Sequence, residues 1–262
     1  DAAAHALRAD LEERGLLNPV VDREEALAET RVRHLLAGLC HRLRTRGGVL
    51  HKLLDAYVRE DGNTFLLSKR RNPIIAPMPL RRRPPRFFHS KADPRQFDVL
   101  YSSGGSSAWT RDFTARCLRL RPQDDDINEA LRFAVQRMIA HGLLADRPSG
   151  KGVAYGLRAD GLLVTPAPGR VRCDVCARTV AAPEKELPHF EGQVCLRARC
   201  PGLLRVEASP PRSYYERIYR SNRLNRIFTA EHTGLLERKA REALEARFKA
   251  STYREPDAPN LL

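Results

Sequence analysis

The chain has 262 residues, 42% of them hydrophobic, with 46 Lys/Arg against 32 Asp/Glu and a formal net charge of +14. That length suits about two domains, or three small ones. No apolar run approaches the ~20 residues of a bilayer-crossing helix, and the start lacks the basic-then-apolar order of a secretory signal, so the chain is expected to be soluble and cytoplasmic, with no membrane partner.

The charge is concentrated. Residues 31–121 hold 20 Lys/Arg against 6 Asp/Glu, the whole excess, and the remainder balances at 26 against 26. A field of that kind attracts polyanions, with counterion release driving association with DNA or RNA. The alternative is a solvated surface, and the concentration argues against it.

In chain order, 1–17 and 22–44 read as helices separated by Asn18-Pro19. In the second, Leu27, Val32, Leu35, Leu36, Leu39 and Leu43 recur at helical spacing. Gly47-Gly48 ends it. Val49–Tyr57 suits a further short helix, Asp61-Gly62-Asn63 a turn and Thr64–Leu67 a strand. Two basic runs follow, one containing Arg70 and Arg71, the other Arg81, Arg82, Arg83 and Arg86 around Pro84-Pro85. The prolines keep this backbone extended, so its arginines either track phosphates or form a basic linker. Ser102–Ser107 reads as a hinge. Residues 1–105 are thus expected to form a basic helical region.

Trp109–Leu120 reads as a short helix. Asp124–Asp126 opens a longer one, with Asp126 and Glu129 as a capping box. Ile127, Leu131, Ala134, Val135 and Met138 share its apolar face, and Gly142 stops it. Extended segments at Leu143–Arg147, Val153–Arg158 and Leu162–Thr165 are joined by turns. Helix, helix, hairpin is winged-helix order, expected over 106–168, with Arg147, Lys151 and Arg158 on a wing that contacts backbone. Many such folds only pack against protein.

Four of the six cysteines form Cys173-x2-Cys176 and, 18 residues on, Cys195-x4-Cys200. Two such knuckles bring four thiolates to one tetrahedral centre suited to structural zinc, expected over 169–212. Disulfides are the competing reading, disfavoured because nothing else suggests secretion. His189 lies in the intervening loop, where it either substitutes for one thiol or, the favoured reading, is a surface histidine. Cys40 and Cys117 read as core thiols, and Tyr214–Tyr219 begins a short aromatic helix that packs on the zinc module or stacks on bases.

Arg226–Glu231 reads as a strand, His232-Thr-Gly234 as a turn and Leu235–Lys249 as a helix. Leu236, Ala240, Leu244 and Phe248 lie on one side of it, and Glu237–Arg241 and Glu245–Lys249 are spaced as pairs. A strand ending in His-Thr-Gly, followed by a helix with Arg241 and Phe248, resembles the opening of the second RecA-like domain of superfamily 2 helicases. More narrowly, it resembles the zinc-containing, winged-helix-bearing branch related to Lhr and MrfA-type bacterial DNA helicases. The clear match covers about 226–262; the modules before it agree in order alone. The resemblance implies that Thr233, Gly234 and Arg241 lie near strand phosphates, that Leu261-Leu262 begins the next strand, and that 213–262 opens a RecA-like domain. A helix N-terminus suits an anion there.

The departures limit the activity. No G-x4-G-K-[ST] motif occurs; Pro148–Gly152 has the wrong spacing, and no DExH-type or late arginine-finger motif is found. ATP and Mg are expected only in a complete helicase, with the rest of the motor supplied in cis or in trans. The chain is expected to be an α+β part of something larger, inactive alone, that positions DNA beside the motor, with repair or anti-phage defence as the setting. The competing expectation is a stand-alone winged-helix and zinc-ribbon regulator or assembly factor. A hydrolase is disfavoured because no nucleophile–base pair or paired carboxylates stand out.

Overall fold

The computed structural model describes residues 1–17, 25–67, 83–91, 96–101, 108–121, 125–150, 152–164, 169–207 and 236–254. Helices and sheets are mixed, in keeping with the expected α+β class, and the chain divides into two compact units, 1–208 and 209–262. The boundaries expected near 105 and 168 lie inside the first unit, where one hydrophobic cluster runs from Ala3 to Leu204.

Four helices build most of that core. α1 (Ala2–Glu13) and α2 (Glu25–Thr45) precede α4 (Trp109–Leu118) and α5 (Asp126–Ala140). Leu7 and Leu11 of α1 are fully buried, as are Val32, Leu35 and Leu39 of α2. The stripe expected on α5 is buried throughout, from Ile127 to Met138, and each such aliphatic side chain contributes about 1.5–3 kcal/mol by leaving water. Gly38 lets α2 and α4 pack closely, since a Cβ there would overlap the Phe113 ring. The capping box does not form. Asp125 occupies the N-cap without a side-chain bond, Asp126 is already inside the first turn, and Glu129 lies 3.8 Å from Arg14. The carboxylates still favour the positive end of the helix dipole.

The larger sheet centres on β5 (Gly152–Arg158), which pairs along its length with β4 (Leu144–Ser149) as an antiparallel hairpin. Its other edge takes β1 (Val49–Leu50), parallel, and β2 (Phe88–His89), antiparallel; β2 in turn carries β3 (Asp98–Val99). That arrangement overturns the third extended segment. Residues 162–164 form no strand and Leu163 and Val164 are 97% and 98% exposed, because the β5 edge is already occupied by residues from before the hinge.

Two further local expectations change. Val49–Tyr57 begins as strand rather than helix. It then makes a 3-10 turn at Lys52–Leu54, with His51 Nδ1 accepting from the Leu53 N–H, before α3 (Asp55–Arg59). Thr64–Leu67 is a 3-10 helix, not a strand: Asn63 Oδ1 accepts from the Phe65 N–H at 3.1 Å and turns the backbone. Below this sheet, Tyr57, Phe87 and Phe97 form a second core with edge-to-face ring contacts.

A smaller antiparallel sheet has the order β7–β6–β8, from β6 (Gly169–Cys173), β7 (Thr179–Ala182) and β8 (Leu204–Val206), with the one-turn α6 (Leu187–Phe190) before β8. In the second unit α7 (Arg238–Arg254) is described. Its Phe248 is 40% exposed, and Arg238 pairs with Glu242 at 2.8 Å. No described helix is long and apolar enough to cross a membrane.

Candidate metal centre

The β6–β7 turn presents Cys173 and Cys176, and a second turn, bracketed by the Val194–Leu203 bridge, presents Cys195 and Cys200. The four Sγ atoms lie within 4.8 Å of one another and could hold a metal ion. The Cys173–Cys200 and Cys176–Cys195 separations are 3.7 and 3.6 Å. A tetrahedral Zn–S4 centre with ~2.3 Å bonds has edges of about 3.8 Å. All six cysteines are free thiols, so the disulfide alternative is not what the fold uses. Among the described residues, His189 is not in the cluster.

The backbone is shaped to hold the sulfurs. Ala177 and Arg199 both take left-handed conformations, at φ 56° and 57°, which curls each loop back around its cysteines. The Cys176 and Arg197 N–H groups point at Cys173 and Cys195 Sγ, at 3.5 and 3.3 Å. Such donors favour the thiolate form. A Cβ at Gly202 would lie 2.5 Å from Cys173 Sγ, so the close approach of the two loops requires glycine there. Desolvation opposes ionisation at Cys176, but the Arg178 backbone and the neighbouring sulfurs bring its pKa down to about 7. Burial, with sulfur crowding, pushes Cys195 up. Cys176 therefore ionises readily while Cys195 and Cys200 resist, and a shared cation would favour the thiolate form of both.

Helix α4 clamps the second loop. Arg116 donates to the carbonyls of Cys195, Cys200 and Arg197 at 2.8, 3.2 and 3.0 Å, and is itself held by Asp112. Asp112 also accepts from the Arg199 N–H at 3.0 Å, and Trp109 Nε1 donates to Leu196 O at 2.8 Å. From α2, the buried His34 uses Nε2 to donate to Val194 O at 2.9 Å. Desolvation by its buried site lowers His34 to about 4, so it is neutral at ordinary pH. The Asp112–Arg116 spacing is visible in the sequence, but what it grips is not.

Cys40 and Cys117 sit apart from the centre, and burial raises both, Cys40 to about 12, as befits core thiols.

The expected nucleic-acid contacts scatter. Arg70, Arg71, Arg81, Arg82, Lys151, Thr233 and Gly234 lie outside the described residues, as do Tyr214–Tyr219 and the hinge. Arg83 and Arg86 flank Pro84-Pro85 on the wall of a cleft. Arg147 lies on β4, 3.9 Å from Asp55. The hairpin tip beside it is tied down: Ser149 Oγ is 2.6 Å from both Val58 O and Asp61 Oδ1, and the Gly150 N–H donates to Arg59 O. Arg241 is in the first turn of α7, its guanidinium 3.4 Å from Leu236 O.

No protein-family model matches the chain, and neither a curated protein nor a solved structure matches it.

Proposed function

We propose that this chain is a zinc-stapled, nucleic-acid-binding accessory region of an ATP-dependent superfamily 2 DNA helicase, positioning the strand beside motor lobes supplied elsewhere. The observation that carries the binding role is the charge: the full +14 excess lies in 31–121, and Arg42, Arg46, Arg83 and Arg86 from that stretch gather beside the cysteine module.

Zinc is the metal that four cysteine sulfurs at these separations suit best, and a closed four-sulfur set leaves no position for a substrate water. Cys173, Cys176, Cys195 and Cys200 would hold it, and its contribution is folding rather than chemistry. α4, α5 and the β4–β5 hairpin are the winged-helix part of the reading. With the hairpin tip fastened to 58–61, contact falls to the arginine-rich side rather than to a free wing. The motor assignment rests on the sequence likeness of 226–262, of which α7 is the described part.

A stand-alone regulator is the second reading. It is favoured by the fact that 1–208 closes around its own core.

The test is binding of labelled single-stranded and duplex DNA to the full chain, followed by anisotropy. Affinity should fall at least tenfold between about 50 and 200 mM salt, and no ATP should be turned over without added motor lobes. Absent binding, or ATP turnover by the chain alone, overturns the proposal.

A further inference from the structure

Five guanidiniums line one open cleft of about 610 Å³ in the first unit. Arg42 and Arg46 come from the last turns of α2 and the residue after it, Arg83 and Arg86 from either side of Pro84-Pro85, and Arg178 from the first cysteine knuckle. We propose that this cleft seats phosphate groups of a nucleic-acid strand at the seam between α2 and the cysteine module. The proposal rests on the nucleic-acid-binding reading above and gives it a location.

The bland explanation for such a cluster is neutralisation of local negative charge, and the magnitudes decide against it. Asp98 supplies one negative charge, shared by Arg42, Arg46 and Arg86 at 2.8, 2.9 and 3.4 Å. The carbonyl end of α2 adds roughly half a charge more. Counting the described residues alone, five guanidiniums against these leave about +3.5 at the cleft. Among the described residues, Arg83 and Arg178 have no acidic partner.

Two groups register that excess. Arg46 holds its proton less tightly than usual, first through desolvation, and through repulsion by Arg42, Arg86 and Arg83 against the attraction of Asp98. His41, on the same wall, is lowered to about 4 by desolvation and by the charges of Arg44 and Arg178. A bound anion relieves the like-charge crowding that both report.

The donors are also held in place. Arg42 is fixed by Asp98 and by stacking over Trp109, its guanidinium carbon 4.8 Å from the ring centroid. Trp109 is covered on its other side by Phe113, with centroids 4.7 Å apart and planes at 14°, and is 8% exposed. The indole therefore offers no face to a base, and the cleft reads phosphate rather than sequence. Guanidinium forks suit phosphate oxygens better than ammonium groups would. The volume alone would also accommodate a free nucleotide or polyphosphate. Capacity favours a strand: the cleft is open and lined by five guanidiniums, more positive charge than one phosphate neutralises.

The experiment uses the full metal-loaded chain, with fluorescein-labelled oligothymidylate and inorganic pyrophosphate as separate probes. R83E/R178E is the test variant and R83Q/R178Q its milder control; both side chains are exposed, and metal content and melting confirm the fold. The variant should lose at least tenfold in oligothymidylate affinity, and its salt slope should fall by about two, one per lost phosphate contact. If wild type binds the oligonucleotide and both variants bind it within twofold at the same slope, the cleft assignment is overturned and the general reading survives. If wild type binds pyrophosphate, loses it in the variants and ignores the oligonucleotide, the site takes free phosphate compounds and the strand assignment falls. Binding of neither probe overturns both.

Discussion

Arg116 and Cys195 sit 79 positions apart, yet a guanidinium nitrogen of the first donates to the carbonyl of the second at 2.8 Å. Together with Arg197 and Cys200, the same side chain holds three carbonyls of the loop that carries half of the sulfur set. The cysteine module is therefore part of the helical body, sharing one hydrophobic cluster with α1, α2, α4 and α5.

Arg116→Ala should destabilise the first unit by about 2–3 kcal/mol, because three carbonyls and Asp112 lose a charged donor at a partly buried site. Arg116→Lys should recover little, since one ammonium lacks the planar fork that spans these acceptors. Urea denaturation measures the loss. A chromophoric chelator should also extract metal faster from both variants, a readout that a general packing defect elsewhere would not move.

Metal removal should propagate in the same way. Zinc should be found at about one per chain, and Cys200→Ser or exhaustive chelation should lower the melting temperature of the whole first unit. A loss of about 3 kcal/mol corresponds to about 6–12 °C for a domain of this size. If calorimetry shows the helical core melting unchanged after chelation, the shared cluster does not couple the two parts. Gly202→Ala should behave like a ligand loss, since its methyl would displace Cys173 Sγ.

What the sequence revealed and what it hid follow the range of the interactions. The α5 stripe and the four-cysteine spacing are local patterns, and both appear in the structure as read. Thr64–Leu67 misled because a short apolar run does not separate strand from turn, and Asn63 bonds back to the Phe65 N–H. The third extended segment failed for a non-local reason: β1 and β2, from more than 60 residues earlier, take the edge of β5. Arg42, Arg46 and Arg178 of the cleft were hidden likewise, since nothing at positions 42 and 178 announces that they meet.

His34 gives the unit an acid sensitivity whose sign is fixed. Its Nε2–H donates to Val194 O, while Nδ1 is buried with no partner among the described residues, so the folded state holds the neutral ring and a pKa of about 4. The unfolded ring takes a proton near 6.5. Between those values the unfolded chain binds more protons, so the contribution is fully present above about 6.5 and is lost as pH falls towards 4. The full window corresponds to about 3 kcal/mol at 1.36 kcal/mol per unit. His34→Gln should flatten the dependence of urea midpoints on pH between 6.5 and 4. An unchanged slope would place the acid sensitivity at another group.

Asp98 separates stability from binding, because the two effects of its removal have opposite signs. It is 12% exposed and accepts from Arg42, Arg46 and Arg86, so Asp98→Asn leaves three neighbouring guanidiniums without their shared counter-charge. Breaking a pair of this burial should cost about 2–4 kcal/mol. The same change adds one positive charge to the cleft, so oligothymidylate affinity at low salt should rise in protein that remains folded, with a steeper salt slope. A variant that loses stability and binding together would show that Asp98 orders the arginines for the ligand, the outcome expected if position rather than net charge governs the cleft. Measuring both quantities on one sample, by denaturation and by anisotropy, separates the two, since charge excess and preorganisation predict opposite directions in the binding arm alone.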